Sequence, residues 1–316
     1  MKKHLIAAAV AGALAVPAMA QVTMYGNLEV GVGSNKTDGK SSTTKMVDST
    51  VNTSRLGFKG SEDLGGGLKA IWGLEARLDP QTGGIDDKGK SSFFERGAYV
   101  GLSGGFGTLK LGKLDHQGTE NNDASLFGNV GLITGVEFGS DENNTIAYST
   151  PKIGGFSINL GHTFKDNGAS GDNTHDGITS YQVSGDLGPA SVKIGGGEEK
   201  ELDGSKKKVV GGSISTDLGM AKVSLAYQKE EPTSGGDETY TVVNVSGKLG
   251  GSLTGYGVFG KFDVDGSKSK DFNKTALGLG YSLSKRTTVY ALHINNDYGT
   301  GGADVADTQI LINHKF

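Results

Sequence analysis

Cysteine is absent from all 316 residues, so neither disulfides nor thiolate metal sites can hold this protein together. Proline is scarce, five in all, which suits a chain built on ladders of backbone hydrogen bonds, because each proline removes a donor. No basic excess exists either: 31 Lys+Arg stand against 35 Asp+Glu, a formal net charge of −4. A nucleic-acid backbone demands clustered cations, so that class of partner is disfavoured. Long apolar runs are missing as well. The one apolar stretch, residues 5–16, is too short for a spanning helix, which needs roughly 20 residues.

That stretch belongs to a different signal. Met1-Lys2-Lys3-His4 is basic, residues 5–16 are apolar, and Ala18-Met19-Ala20 reads as a small-x-small cleavage site. These are the three regions of a secretory signal peptide in order, with Gln21 expected as the first mature residue. Lys2 and Lys3 leave with it, so 29 Lys+Arg then face 35 Asp+Glu. An exported chain without disulfides needs another source of stability, and a sheet closed on itself supplies one. With a mean hydropathy of −0.30, the remainder is either soluble or inserts as a barrel. Only helices and closed barrels satisfy their backbone groups in lipid.

What is abundant is glycine, 54 residues, and two-residue alternation. Residues 221–228 place Ala221, Val223, Leu225 and Tyr227 on one face, and Lys222, Ser224 and Gln228 on the other. Residues 68–77 do the same, with Lys69, Glu75 and Arg77 on the polar face. This is the pattern of half-buried strands. Short breaks share a text: Glu62-Asp63-Leu64-Gly65, Gly185-Asp186-Leu187-Gly188, Thr216-Asp217-Leu218-Gly219 and Lys248-Leu249-Gly250. Glycine supplies the positive φ of a tight turn, and aspartate bonds its own backbone. Eight longer polar breaks alternate with them, at 33–48, 79–90, 115–142, 165–176, 200–205, 230–237, 263–271 and 297–304. Short turns on one side and long loops on the other predict about sixteen strands in up-and-down order, an all-β transmembrane barrel over residues 21–316. A soluble sandwich would also alternate, and a β-helix would show a fixed short repeat; regular hairpins with a polar second face favour the barrel.

Several stretches carry a likeness. Residues 54–70, Ser-Arg-Leu-Gly-Phe-Lys-Gly-Ser-Glu-Asp-Leu-Gly-Gly-Gly-Leu-Lys-Ala, resemble the second hairpin of the trimeric general porins of Gram-negative bacteria, in the neisserial and related β-proteobacterial branch. Residues 99–107 resemble that family's fourth strand and turn, residues 281–287 a late periplasmic turn, and His314-Lys315-Phe316 its usual ending; Val22-Thr23-Met24-Tyr25-Gly26 also fits. The resemblance implies a homotrimer in the outer membrane, in contact with the lipid bilayer and lipopolysaccharide, passing small solutes and ions. It implies that the insertion machinery reads Phe316. It further implies a third loop folded inward, which here is residues 115–142. Glu137-Phe138-Gly139 resembles the core of that loop's usual Pro-Glu-Phe-Gly, with Val136 in the place of proline.

A diffusion pore needs a field rather than a catalytic group, and cations facing carboxylates across a narrow lumen provide one. Of four arginines, Arg55, Arg77 and Arg96 fall in three neighbouring strands. Alternation turns Arg55 and Arg77 inward, and Lys59, Lys69 and Lys110 share that phase. Facing them, the inward loop carries Asp115, Glu120, Asp123, Glu137, Asp141 and Glu142. The bland reading is that every charge on a barrel strand must point inward, because the lipid face penalises it by roughly 2–4 kcal/mol. The arginine wall favours anions and the acidic loop opposes it.

Other patterns are weaker. Gly255-x-Gly257-x-x-Gly260 matches a dinucleotide fingerprint, but it lies inside a predicted strand with no helix following. Asp263-Val264-Asp265-Gly266 lacks the remaining ligands of a calcium loop. Glu198-Glu199-Lys200-Glu201 and Lys206-Lys207-Lys208 read as a solvated mixed-charge loop. The six histidines show no metal spacing, and no cofactor is expected. The leading expectation is passive, non-specific diffusion. The rivals are a substrate-selective channel, for which no aromatic ladder is evident, a barrel enzyme working through His116, His162 or His175, and an adhesin with a plugged lumen.

Overall fold

The computed structural model describes residues 21–85, 92–114, 125–131, 142–165, 175–267, 270–299 and 302–316. The first strands are β1 (Gln21–Thr37), β2 (Thr43–Asp48), β3 (Arg55–Gly65), β4 (Leu68–Asp79), β5 (Gly84–Ile85), β6 (Gly97–Gly104) and β7 (Gly107–Leu114). β8 (Glu142–Ser149), β9 (Phe156–Phe164), β10 (His175–Leu187), β11 (Ala190–Glu201), β12 (Lys206–Asp217) and β13 (Ala221–Glu231) follow. β14 (Glu238–Gly250), β15 (Leu253–Val264), β16 (Phe272–Ser282), β17 (Thr287–Asp297) and β18 (Val305–Lys315) complete the set.

Successive strands pair antiparallel, except that β3 pairs with β1 rather than β2 and β6 with β4 rather than β5, and β1 pairs with β18 from Asn27↔Lys315 to Thr37↔Val305. The sheet is therefore closed. Two segments do not count as separate staves. β5 pairs only with the end of β4, and β2 and β3 occupy one position, pairing with the upper and lower halves of β1. Sixteen staves remain, the number expected from the turns and loops. The seam is finished by the chain end, where Gly26 and Phe316 exchange backbone N–H···O bonds of 3.1 Å each. With no free edge, the barrel satisfies its backbone in lipid.

The faces invert the logic of a soluble protein. Along β18, Gln309, Leu311 and Asn313 are buried while Ile310 and Ile312 are exposed. On β16, Lys274 and Ala276 are buried and Leu277 is 71% exposed. Apolar residues that water would disfavour are covered by acyl chains, and polar residues turn to the lumen. The repeated Asp-Leu-Gly text acts as expected: Asp63 Oδ1 accepts the N–H of Gly65, and Asp217 Oδ1 that of Gly219, each at 2.8 Å, with φ of +84° at both glycines.

Two of the eight expected long loops are tight. β1 continues to Thr37 and β2 starts at Thr43, leaving 38–42, and β11 and β12 are joined by 202–205. Glu198, Glu199 and Lys200 face Lys208, Lys207 and Lys206 across that ladder, so the supposed solvated loop is strand. Polar residues on both faces of these strand ends mimic a loop in sequence. Gly255, Gly257 and Gly260 all lie within β15.

Candidate functional site

Register fixes which way each side chain points. Asn27 of β1 stands opposite Arg55 of β3, which stands opposite Arg77 of β4. Asn27 is buried, donating to the carbonyls of Asn52 and Thr53 inside the barrel, so Arg55 and Arg77 share the lumen face. Lys59 pairs with Gly73 and Gly73 with Tyr99; Lys110 pairs with Gly101. These too face inward.

Two carboxylates organise this wall. Glu75 Oε1 accepts the Nε–H of Arg96 at 2.7 Å, and Glu75 Oε2 accepts the Tyr25 hydroxyl at 2.7 Å. Glu95 Oε1 accepts the backbone N–H of Arg77 at 2.7 Å and lies 3.5 Å from its Nε. Arg96 precedes β6, where strand parity does not apply; its backbone bond to the Glu75 carbonyl turns it onto the wall. The lysines are held differently. Lys59 Nζ sits 4.9 Å from the Tyr25 ring centre and Lys110 Nζ 4.8 Å from that of Tyr99. The electron-rich ring faces hold the ammonium groups near the wall. Each ring lies over a glycine of the next strand: a Cβ at Gly57 would fall 2.3 Å from Tyr25, and one at Gly73 2.7 Å from Tyr99. Arg55, Lys59, Arg77, Arg96 and Lys110 thus form one basic wall with Glu75 and Glu95 set into it.

Lys69 stands apart. It is exposed beside the turn that joins β3 to β4 and pairs with Asp63. Eight residues separate it from Arg77, about 26 Å along the strand. Glu142 opens β8 at the opposite mouth. Its Oε2 is 3.6 Å from His175 Nε2, and His175 Nδ1 is 3.7 Å from Glu199 Oε1. Glu199 pairs with Lys207, whose Nζ lies 3.0 Å from Glu230 Oε1, and Glu230 pairs with Glu238. The acids described at this mouth are therefore mostly strand residues, missed because their segment reads as loop. Asp115, Glu120, Asp123, Glu137 and Asp141 lie outside the described residues.

The described part of the third long connection, 125–131, lies inside the barrel against the wall of β13–β18. Phe127 stacks on Tyr256 at 4.3 Å with planes 5° apart, and it joins Val130, Val51, Val242, Val258, Ala276 and Leu292 in one buried cluster. Asn244 Nδ2 donates to the Gly131 carbonyl at 3.2 Å. The two sides of the lumen are therefore unlike, one basic and one apolar where this segment is seated.

A closed sixteen-stave barrel with a segment folded into it and a charged lumen wall agrees with one family. A family model described as Gram-negative porin matches residues 7–300. The chain belongs to the Gram-negative porins. Outer membrane porin protein 32 of Delftia acidovorans is 34% identical over 96% of this chain and 92% of that protein. The major outer membrane protein P.IB of Neisseria lactamica is 30% identical over the full length of both. Among solved structures, an anion-selective porin from Comamonas acidovorans superposes with a TM-score of 0.77 at 26% identity, over 94% of this chain and all of that one. The porin is accordingly a multi-pass protein of the outer membrane, from the neisserial and β-proteobacterial branch. Family and fold point to a channel rather than an enzyme. In this porin His162, His293 and His314 each pair with a threonine hydroxyl, Thr179, Thr308 and Thr287 respectively.

Proposed function

We propose that this porin is a general diffusion channel for small hydrophilic solutes and ions, with a weak preference for anions set by the basic wall. The observation that carries the preference is the convergence of Arg55, Lys59, Arg77, Arg96 and Lys110 around two carboxylates on one lumen wall. Fixed cations beside a narrow aqueous path raise the local concentration of anions, and the low-dielectric barrel focuses that field. The anion-selective porin of Comamonas acidovorans, similar over nearly the whole chain, supports this reading. A dedicated enzyme site is not part of it.

Three copies, an outer leaflet of lipopolysaccharide and the insertion machinery complete the proposed setting. Phe316 supports the last of these. Its side chain lies on the outer face over Gly26 at the closing seam, 37% exposed, where another protein can reach it.

Planar-bilayer recording tests the proposal. The expected result is conductance in three equal steps and a reversal potential, across a salt gradient, on the anion side. Arg55→Ala should move that potential toward zero; an unchanged value would remove Arg55 from the mechanism. Saturable block by one sugar or organic acid would favour a substrate-selective channel instead.

A further inference from the structure

Between β2 and β3 the chain leaves the ladder and turns into the lumen at residues 49–54, with Ser49 at φ +50°. A single buried carboxylate gathers this corner. Glu29, on the inward phase of β1, is fully buried. Its Oε1 accepts the backbone N–H of Val51 at 2.7 Å. Its Oε2 accepts the backbone N–H of Asn52 at 3.0 Å, Asn52 Nδ2 at 3.2 Å and Asn313 Nδ2 at 3.2 Å. Every one of these partners is an N–H donor, which suits an acceptor-only group. Ser54 closes the clasp, its hydroxyl accepting from the Glu29 N–H at 2.9 Å and donating to the Glu29 carbonyl at 3.3 Å.

The corner in turn holds the inward segment. Asn129 donates its backbone N–H to the Val51 carbonyl at 2.8 Å, and its Nδ2 to the Ser49 carbonyl at 3.0 Å and Thr53 Oγ1 at 3.2 Å. Gly128 passes so close that a Cβ there would fall 2.0 Å from the Val51 carbonyl oxygen. Val51 packs with Phe127 and Val130. On its other side the corner runs directly into Arg55, and the Ser54 carbonyl accepts the N–H of Leu78 beside Arg77 at 2.9 Å.

We propose that Glu29 is a positioning residue for conduction: through the corner 49–54 it fixes both the inward segment 125–131 and the start of the basic wall, and so sets the bore and steadiness of the pore. Carboxylate-to-amide replacement puts a donor where donors already converge, so the clasp opens while the barrel ladder, made of backbone bonds, persists. The inference rests on the diffusion-channel reading, and its test separates the two.

Full-length protein carrying Glu29→Gln, Asn129→Ala or both is reconstituted in planar bilayers, with β-sheet circular dichroism and heat-modifiable gel mobility checking the barrel. Wild type should show a steady open level at each of the three steps. Glu29→Gln should break each level into substates with excess open-channel noise, and move the reversal potential because Arg55 loses its support. Asn129→Ala should reproduce the noise, and the double variant should be no noisier than the worse single one, since both act through one corner. A merely structural glutamate would lower thermal stability and leave levels, noise and potential as in wild type, which would overturn the proposal. Additive noise in the double variant would overturn it too. Should Glu29→Gln fail to fold, Asn52→Ala removes one bond of the clasp and must give the same noise. A wild type that does not conduct would instead refute the channel reading.

Discussion

Glu75 is tied to more of the basic wall than its single charge suggests, because both of its oxygens are committed, one to Arg96 and one to Tyr25. Replacing it with glutamine deletes one of the two carboxylates set among five cations without changing shape. The anion preference of Glu75→Gln should therefore exceed that of wild type, read as a larger reversal potential across the same salt gradient. A smaller one would mean that Glu75 serves chiefly to hold Arg96 in place. The inward facing of Arg55 and Arg77 was legible from alternation alone, since neighbours Leu56 and Ala76 occupy the opposite phase. Arg96 was not, because it precedes its strand and its backbone and side-chain bonds to Glu75, 21 residues away, set its direction. Tyr25 and Tyr99 were invisible for a related reason: what makes them partners of Lys59 and Lys110 is a glycine on the adjacent strand, and adjacency is known only once register is known.

At the scale of elements, the inward segment is held by packing as much as by hydrogen bonds. Phe127 is 2% exposed and stacked on Tyr256, with Gly278 leaving the room for its ring. A Cβ at Gly278 would fall 2.2 Å from Phe127 Cζ. Phe127→Ala should cost about 3–5 kcal/mol in reversible urea unfolding from detergent or lipid, the usual range for emptying a buried aromatic site. Gly278→Ala should cost about 1–3 kcal/mol by overpacking in the wild-type background. In the Phe127→Ala background the same methyl enters the vacated space and should cost almost nothing, and that non-additivity would report direct contact. Equal costs in both backgrounds would place Phe127 elsewhere. None of this contact was readable beforehand. The alternating strands announced themselves because each position along a strand meets the same environment as its second neighbour, whereas residues 29, 51, 129 and 278 meet only after the barrel closes. The β11–β12 ladder reads as loop for the opposite reason: its charged ends carry polar residues on both faces, and period-two patterning survives only where one face must meet lipid.

Closure makes the whole molecule one dielectric object, a ring of low-polarity wall around water, and that governs how the basic wall acts at a distance. If selectivity comes from the summed field of Arg55, Lys59, Arg77, Arg96 and Lys110, mobile ions must weaken it. The Debye length falls from about 30 Å at 0.01 M salt to about 3 Å at 1 M. At low salt the field spans a lumen of barrel width and every passing ion meets it; at high salt only ions touching the wall do. The reversal potential under a fixed salt ratio should then shrink steadily toward zero as absolute concentration rises, and wild type and Arg55→Ala should converge at the high end. A preference that held constant from low to high salt would mean that anions are selected by direct coordination at a binding site, with the basic wall acting through contact. Conductance separates the cases in the same recordings: a field-driven pore conducts disproportionately well at low salt because its anions are pre-concentrated, while a coordinating site saturates at high salt because each bound anion must leave before the next one enters.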